Sequence, residues 1–256
     1  MLDGKIAIVT GAGSGLGEAI SLAFAKNGAT VVLADVDTDG AGRVLRQIQE
    51  RGGSGRVAKT DVSKPDAAKA LVDIAVTQFG RLDIAVNNAG IGGPTAPVGE
   101  YPIDQWDRII ATNLSGIFYG MHFQIPAMLA AGGGAIVNMA SIAGTVGLAH
   151  ASGYSAAKHG VVGLTKTAAV EYGAHGIRVN AVGPGFIKTP LLGKRAVMDT
   201  SGATADSEMQ ALAALHPMNR LGEAHEVAEL VLFLASERAS FITGAYYNID
   251  GGYLAR

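Results

Sequence analysis

Cysteine is absent from this 256-residue chain, so neither a disulfide nor a thiolate metal site is open to it. The six histidines include no HExxH or other close pair at ligand spacing, and no metal site is expected. Charge is scarce as well: Asp, Glu, Lys and Arg make up 16% of the residues and the formal net charge is -2. With no basic block, nucleic acid has little electrostatic reason to bind, and with no polybasic patch neither has an anionic membrane surface. Long apolar runs are missing. The most tempting, VAELVLFLA, has nine residues and contains Glu229, far short of a bilayer span. MLDGKIAIVTG passes almost at once into strand-like sequence, without the segments of a secretory signal, so a soluble, cytoplasmic protein is expected.

What is present is apolar and periodic. Hydrophobic residues reach 48%, and the 36 glycines are scattered among patterned segments rather than gathered in a low-complexity tract. Strand-like runs (6–10, which is continuously apolar, and 31–34, 57–62, 82–86, 135–140, 177–182 and 245–249) alternate with helical spacing. The helical segments are 16–26, 42–50, 67–79, 106–128 (as one helix or two), 154–172 and 227–234. Pro65 stands where a first-turn proline would, with Ser63 a candidate N-cap. Alternating βα units with fully apolar strands predict an α/β fold, a doubly wound parallel sheet covered on both faces. No linker or internal repeat divides the chain, so 1–256 reads as one Rossmann-fold domain. The polar stretch 188–218, which carries TSGATADS, reads either as a surface loop or as a mobile lid over a substrate.

Three groups of residues carry chemistry. TGAGSGLG (10–17) follows a strand and opens a helix, where a pyrophosphate can approach backbone N–H groups that a Cβ would obstruct. Gly11, Ser14, Gly15, Leu16 and Gly17 are therefore candidate cofactor residues. Asp35 ends the second strand, eighteen residues past Gly17. A carboxylate there can accept both adenosine-ribose hydroxyls and repels a 2′-phosphate, and the next residues, Val36 and Asp37, bring no cation. That favours NAD over NADP, although an acidic residue at a strand end is also an ordinary solvated turn. The third group is Tyr154 and Lys158, which share a face at i and i+4, with Ser141 thirteen residues before Tyr154 at a strand end. Free tyrosine titrates near pH 10, and a nearby ammonium favours the phenolate, which makes the phenol a usable acid or base. A Tyr and a solvated Lys at this spacing are common on amphipathic helices. The pair gains meaning from its conjunction with the glycine loop, Asp35 and Ser141.

With these residues in place, the chain resembles the short-chain dehydrogenase/reductase family along essentially its whole length. Thr10–Gly17 is similar to the family's cofactor loop, and Asp61 and Val62 to the pair that contacts the adenine. Asn88, Ala89 and Gly90 fall in an NNAG motif after the fourth strand. Asn113 in TNLSG, with Ser141, Tyr154 and Lys158, matches the catalytic tetrad. Pro184, Gly185, Ile187 and Thr189 in NAVGPGFIKTP look like the segment that holds the nicotinamide. The resemblance implies that Tyr154 exchanges a proton with the substrate oxygen and Ser141 orients that oxygen. It implies that Lys158 holds the nicotinamide ribose, Asn113 continues the proton relay, and NAD carries the hydride. A homotetramer is implied too. One departure is Gly183, where relatives often have Ala or Ser, and little effect is expected from it.

Candidate substrate-side stretches are 92–97, 142–151 and 186–218. GTVGL (144–148) is small and apolar, so a neutral ketone or secondary alcohol is expected. HPMNRLGEAHEVAELVLFLAS with YYNIDGGY is similar to relatives acting on cyclohexanol-type or cyclic-diol substrates. Lys188, Lys194 and Arg195 read as solvated. A 3-oxoacyl carrier-protein reductase of the same family is the alternative enzyme, opposed by Asp35 and the near-neutral charge. An NAD-binding sensor or scaffold is the non-enzyme alternative.

Overall fold

All five residues of Ile6–Thr10 are buried, as expected of a central strand covered on both faces, and they form β1 of a computed structural model that describes residues 1–193 and 205–255. The chain continues through α1 (Gly15–Lys26), β2 (Thr30–Asp35), α2 (Thr38–Glu50), β3 (Ser54–Lys59), α3 (Pro65–Phe79) and β4 (Ile84–Asn87). Next come α4 (Ile103–Ile110), a π turn (Ala111–Ser115), α5 (Gly116–Ala130), β5 (Gly134–Met139), α6 (Ser152–Tyr172) and β6 (Ile177–Pro184). It ends with β7 (Ile187–Lys188), α7 (Pro190–Gly193), α8 (Ala205–Ala214), β8 (Gly222–Glu223), α9 (Ala224–Ala235) and β9 (Tyr246–Ile249). Seven strands form one parallel sheet in the order β3-β2-β1-β4-β5-β6-β9, and β7 pairs with β8 in a separate two-stranded ribbon.

Alternate residues of each strand point to opposite faces. Ala7, Val9, Val31 and Leu33 meet Ile20, Phe24, Val227 and Val231 of α1 and α9 on one face. Ile6, Ile8, Val32 and Ile136 meet Leu71, Met121, Ile125 and Val161 of α3, α5 and α6 on the other. The strand order reverses between β1 and β4, and the crevice beyond their C-terminal ends is where such a sheet receives a ligand. There Thr10 Oγ1 accepts from the N–H groups of Asn88 (2.9 Å) and Ala89 (3.0 Å), while Asn88 Nδ2 donates to the Thr10 carbonyl (2.8 Å).

Below the crevice runs a buried polar chain. Asn87 Nδ2 donates to Gln124 Oε1 (3.1 Å) and Asn138 Oδ1 (2.9 Å), and Asn138 Nδ2 donates to Thr165 Oγ1 (3.0 Å). It ties β4, β5 and α5 to α6. Asn138→Ala strips partners from two buried groups, which costs about 2–3 kcal/mol. For a chain of this size we expect Tm to fall by about 5–10 °C in a calorimetric scan, whereas a change below about 2 °C would mean that the network does not carry this load.

Several boundaries differ from the sequence expectation. β3 ends at Lys59, so Asp61 and Val62 lie beyond the strand. α3 begins at Pro65 with Lys64 as N-cap, and the Ser63 hydroxyl donates instead to Asp61 Oδ1 (2.7 Å). The helical stretch over 106–128 is broken by the π turn. The stretch 188–218 is not one loop: its described parts hold α7 and α8. Lys194, Arg195 and most of TSGATADS lie outside the described residues, as does any lid they would form. Among the described residues no helix is long and apolar enough to cross a membrane, and no cluster of His, Asp or Glu is arranged to hold a metal ion.

Candidate active site

One cavity of about 530 Å³ opens along the C-terminal ends of the strands. At one end lie Gly11, Ser14, Gly15 and Leu16, where β1 turns into α1. Ser14 occupies the N-cap position of α1 with extended backbone, yet its side chain does not cap the helix, so the first-turn N–H groups are not taken up by it. Gly17 does not line the cavity. A Cβ there would overlap the carbonyl oxygen of Gly11, so Gly17 permits the close approach of α1 to the end of β1.

Asp35 lines the same end and is oriented by backbone: Oδ2 accepts from Gly13 N (2.8 Å) and Oδ1 from Asp37 N (2.9 Å). Each carboxylate oxygen retains acceptor capacity toward the cavity. Two cations that adjacency in sequence does not disclose lie in this neighbourhood. Lys59 pairs with Asp35 across β2 and β3. Arg43 donates to the Gly13 carbonyl (3.0 Å) and holds Glu18 in a two-pronged ion pair (2.6 and 2.7 Å), which raises its pKa above the usual guanidinium value. Asp61 and Val62, beyond β3, and Asn88, Ala89 and Gly90, beyond β4, also line the cavity. These features fit a dinucleotide: open helix N–H groups for the phosphates, a carboxylate for a ribose, and a long cavity leading onward.

Towards the ends of β5 and β6 the lining includes Ser141, Tyr154 and Lys158, with Pro184, Gly185 and Ile187, while Thr189 reaches back against Gly15. Ser141 leaves β5 in extended conformation and caps a 3₁₀ turn (Ile142–Gly144), with Oγ accepting from Ala143 N (3.2 Å). Lys158 is 3% exposed. Its Nζ donates to the Met139 carbonyl (2.6 Å) and lies 5.6 Å from the centroid of the Tyr154 ring. Burial lowers its pKa to about 8. The helix thus places the lysine beneath the phenol, as the i, i+4 spacing requires.

Asn113 stands apart from the cavity lining. It is fully buried in the π turn, its Oδ1 accepts from Ile91 N (2.8 Å) and its Nδ2 donates to the Ile91 carbonyl (2.8 Å). Its amide is committed to the loop after β4. Any relay through this position falls to backbone groups of the π turn, an irregularity that frequently marks functional sites.

Ile142, Leu148, Phe186, Leu191 and Leu192, within the substrate-side stretches 142–151 and 186–218, line the cavity and make its far end apolar, whereas no residue of 92–97 lines it. Other contributors were not legible as motifs, among them Ile91, which also lines the cavity. His216 is buried beneath it. Its Nε2 accepts from Phe186 N (3.3 Å), which leaves Nδ1 as donor to the Leu212 carbonyl (2.9 Å), so one imidazole fixes the chain where β6 leaves the sheet. Tyr246 of β9 donates its hydroxyl to the carbonyl of Ser141 (2.7 Å).

The family profile described as enoyl-(acyl carrier protein) reductase matches residues 11–254. Cyclohexanol dehydrogenase of Acinetobacter sp. (strain SE19) is 47% identical over 254 residues, covering 99% of this chain and 96% of the relative. Cis-4-hydroxycyclohexanecarboxylate dehydrogenase of Sinomonas cyclohexanicum is 46% identical, covering 98% and 97%. The crystal structure of levodione reductase superimposes with a TM-score of 0.95 at 36% identity, covering 100% of this chain and 99% of that one. With the parallel sheet and its crevice, these matches establish that the chain belongs to the short-chain dehydrogenase/reductase family, oxidoreductases that use nicotinamide cofactors.

Proposed function

We propose that the protein is an NAD-dependent dehydrogenase that interconverts neutral cyclic secondary alcohols and ketones. The observation that carries this reading is the single cavity with Asp35 at one end and Ser141, Tyr154 and Lys158 at the other. NAD, when bound, accepts or supplies the hydride. Tyr154 removes the hydroxyl proton in oxidation and returns it to the carbonyl oxygen in reduction. Ser141 donates a hydrogen bond to that oxygen: one of its lone pairs accepts from Ala143 N–H, and its proton is left to give. The Lys158 ammonium favours the phenolate, and its remaining N–H groups serve the nicotinamide ribose. The apolar far end suits an uncharged ring, and the relatives named for cyclohexanol and for a hydroxycyclohexanecarboxylate support a cyclic secondary alcohol.

The test is oxidation of NADH and NADPH, side by side, against cyclohexanone, a substituted cyclohexanedione, an aliphatic ketone and acetoacetyl thioester, with the reverse alcohols. Turnover of NADH on the cyclic ketones is expected. Turnover restricted to NADPH and the thioester would replace this reading with a carrier-protein reductase. Tight NADH binding without turnover of any member would favour a sensor.

Asp35 carries the cofactor preference. Asp35→Ala removes the carboxylate that excludes a 2′-phosphate, with Lys59 across the strand pair and Arg43 held by Glu18 remaining. We expect the NAD-to-NADP ratio of kcat/KM to fall at least about tenfold, as one charge repulsion is worth about 1.4 kcal/mol or more at close range. An unchanged ratio would take Asp35 out of the cofactor argument.

We further propose that it works in the cytoplasm as a homotetramer. Phe118 on α5 (47% exposed) and Val170 on α6 (86% exposed) are large apolar side chains open to solvent in the single chain, which supports burial between copies. Light scattering should give four chains per particle, and Phe118→Glu with Val170→Glu should reduce that number. A monomeric wild-type protein would contradict the assignment.

A further inference from the structure

The structure supplies a reason for the glycine at position 183. Tyr246 of β9 pairs with Ala181 of β6, and its side chain leans along the sheet across Gly183. A Cβ at Gly183 would overlap Oη and Cζ of that ring. The phenol occupies the space a side chain at 183 would take and continues to the end of β5, where it meets Ser141. It therefore links an edge strand to the serine of the reaction site.

The carbonyl of Ser141 accepts two hydrogen bonds, from Gly144 N (2.8 Å) and from Tyr246 Oη (2.7 Å). The first belongs to the 3₁₀ turn itself. The second comes from 105 residues away and ties that turn to the body of the sheet. Together with the Ala143 N–H on Oγ, these bonds leave the Ser141 peptide one orientation. Burial pushes the Tyr246 phenol up to about 12, the neighbouring Thr145 side chain partly opposing, so the hydroxyl stays a donor throughout the working pH range.

We propose that Tyr246 is a positioning residue for the reaction: its hydroxyl, admitted by the missing side chain at Gly183, holds the Ser141 carbonyl and thereby aims the Ser141 hydroxyl at the substrate oxygen. The inference rests on the catalytic reading of Ser141. Misplacing a reacting group by a fraction of an ångström up to 1 Å lowers rates by about ten- to a hundredfold, which sets the expected size.

The experiment measures kcat, KM and turn dynamics in a set of variants, on the cyclic ketone turned over fastest. Tyr246→Phe should lower kcat about tenfold and leave the KM for NADH unchanged. In a Ser141→Ala background the same change should have less than about a twofold effect, since no hydroxyl remains to be aimed. Gly183→Ala alone should match the loss in Tyr246→Phe, and should add no further loss on top of Tyr246→Val. Amide exchange at Gly144, Thr145 and Val146 should speed up about fivefold or more in Tyr246→Phe with the rest of the chain unchanged, a readout that needs no substrate. Full activity together with unchanged exchange in Tyr246→Phe would overturn the inference. So would an equal loss in the Ser141 and Ser141→Ala backgrounds, which is what a merely structural tyrosine gives. Wild-type turnover in Ser141→Ala would instead remove the catalytic reading of Ser141 and this inference with it. A loss in Ser141→Ala beside an unaffected Tyr246→Phe would overturn the inference alone.

Discussion

Tyr154→Phe is expected to lower kcat by about 10²–10⁴-fold while NADH still binds. The variant keeps the ring against Lys158 and removes only the oxygen that exchanges a proton. The far end of the cavity has no ready substitute: Ser141 is far too weak an acid or base on its own, and the ammonium of Lys158 is turned to the Met139 carbonyl. Steady-state rates with cyclohexanone, paired with a fluorescence titration of NADH, separate the two effects. Wild-type turnover in this variant would sink the proposed acid–base role. Loss of NADH binding in step with the loss of rate would recast Tyr154 as a cofactor contact.

Lys158→Met is expected to abolish turnover and to make the cofactor-free protein more stable. A buried ammonium that donates to the Met139 carbonyl is an expensive group to fold around, and a methionine of similar length fills the same space without a charge. The lowered pKa states the cost: from an ordinary 10.5 to about 8, roughly 3 kcal/mol at 1.4 kcal/mol per unit. The sign follows from proton binding. The folded chain gives up this proton before the unfolded chain does, so the unfolded state binds more protons between pH 8 and 10.5. Through that window the Lys158 contribution makes the folded state more stable as pH rises, and below pH 8 the full penalty remains. Denaturant titrations at pH 7 and pH 10 should show the variant ahead at the lower pH and its lead narrowing at the higher. A wild type more stable than the variant at pH 7 would mean that water or a further partner solvates the ammonium. Under the proposed mechanism the charge serves the reaction, a familiar exchange of stability for activity.

Local pattern carried far in this chain. Continuous apolar strands alternating with helical spacing marked a doubly wound sheet, because strands covered on both faces leave no polar alternation to write. The glycine loop and the i, i+4 pair were readable because each lies within one turn and its geometry follows from backbone rules alone. Boundaries suffered where tertiary contacts outweighed propensity. β3 ends before Asp61 although Val62 looks strand-like, and the stretch over 106–128 hides a π turn whose Asn113 side chain is bonded to a distant partner, the backbone of Ile91.

The residue types, their order and the short-range spacing were enough to mark the sheet and to single out the glycine loop and the Ser-Tyr-Lys group that line one cavity, since these depend on short-range pattern. The contacts that fix the surroundings of that group came from chain segments far away in sequence. The Met139 carbonyl under Lys158, the imidazole of His216 on Phe186, and the phenol of Tyr246 on Ser141 join elements 19, 30 and 105 residues apart. Such contacts depend on strand order and on which face of each strand meets which helix, and no periodicity within a single element records either. Gly183 makes the division plain: as a letter in the sequence it is a small departure, and only β9 lying beside β6 turns it into the space that a tyrosine needs to reach the reaction site.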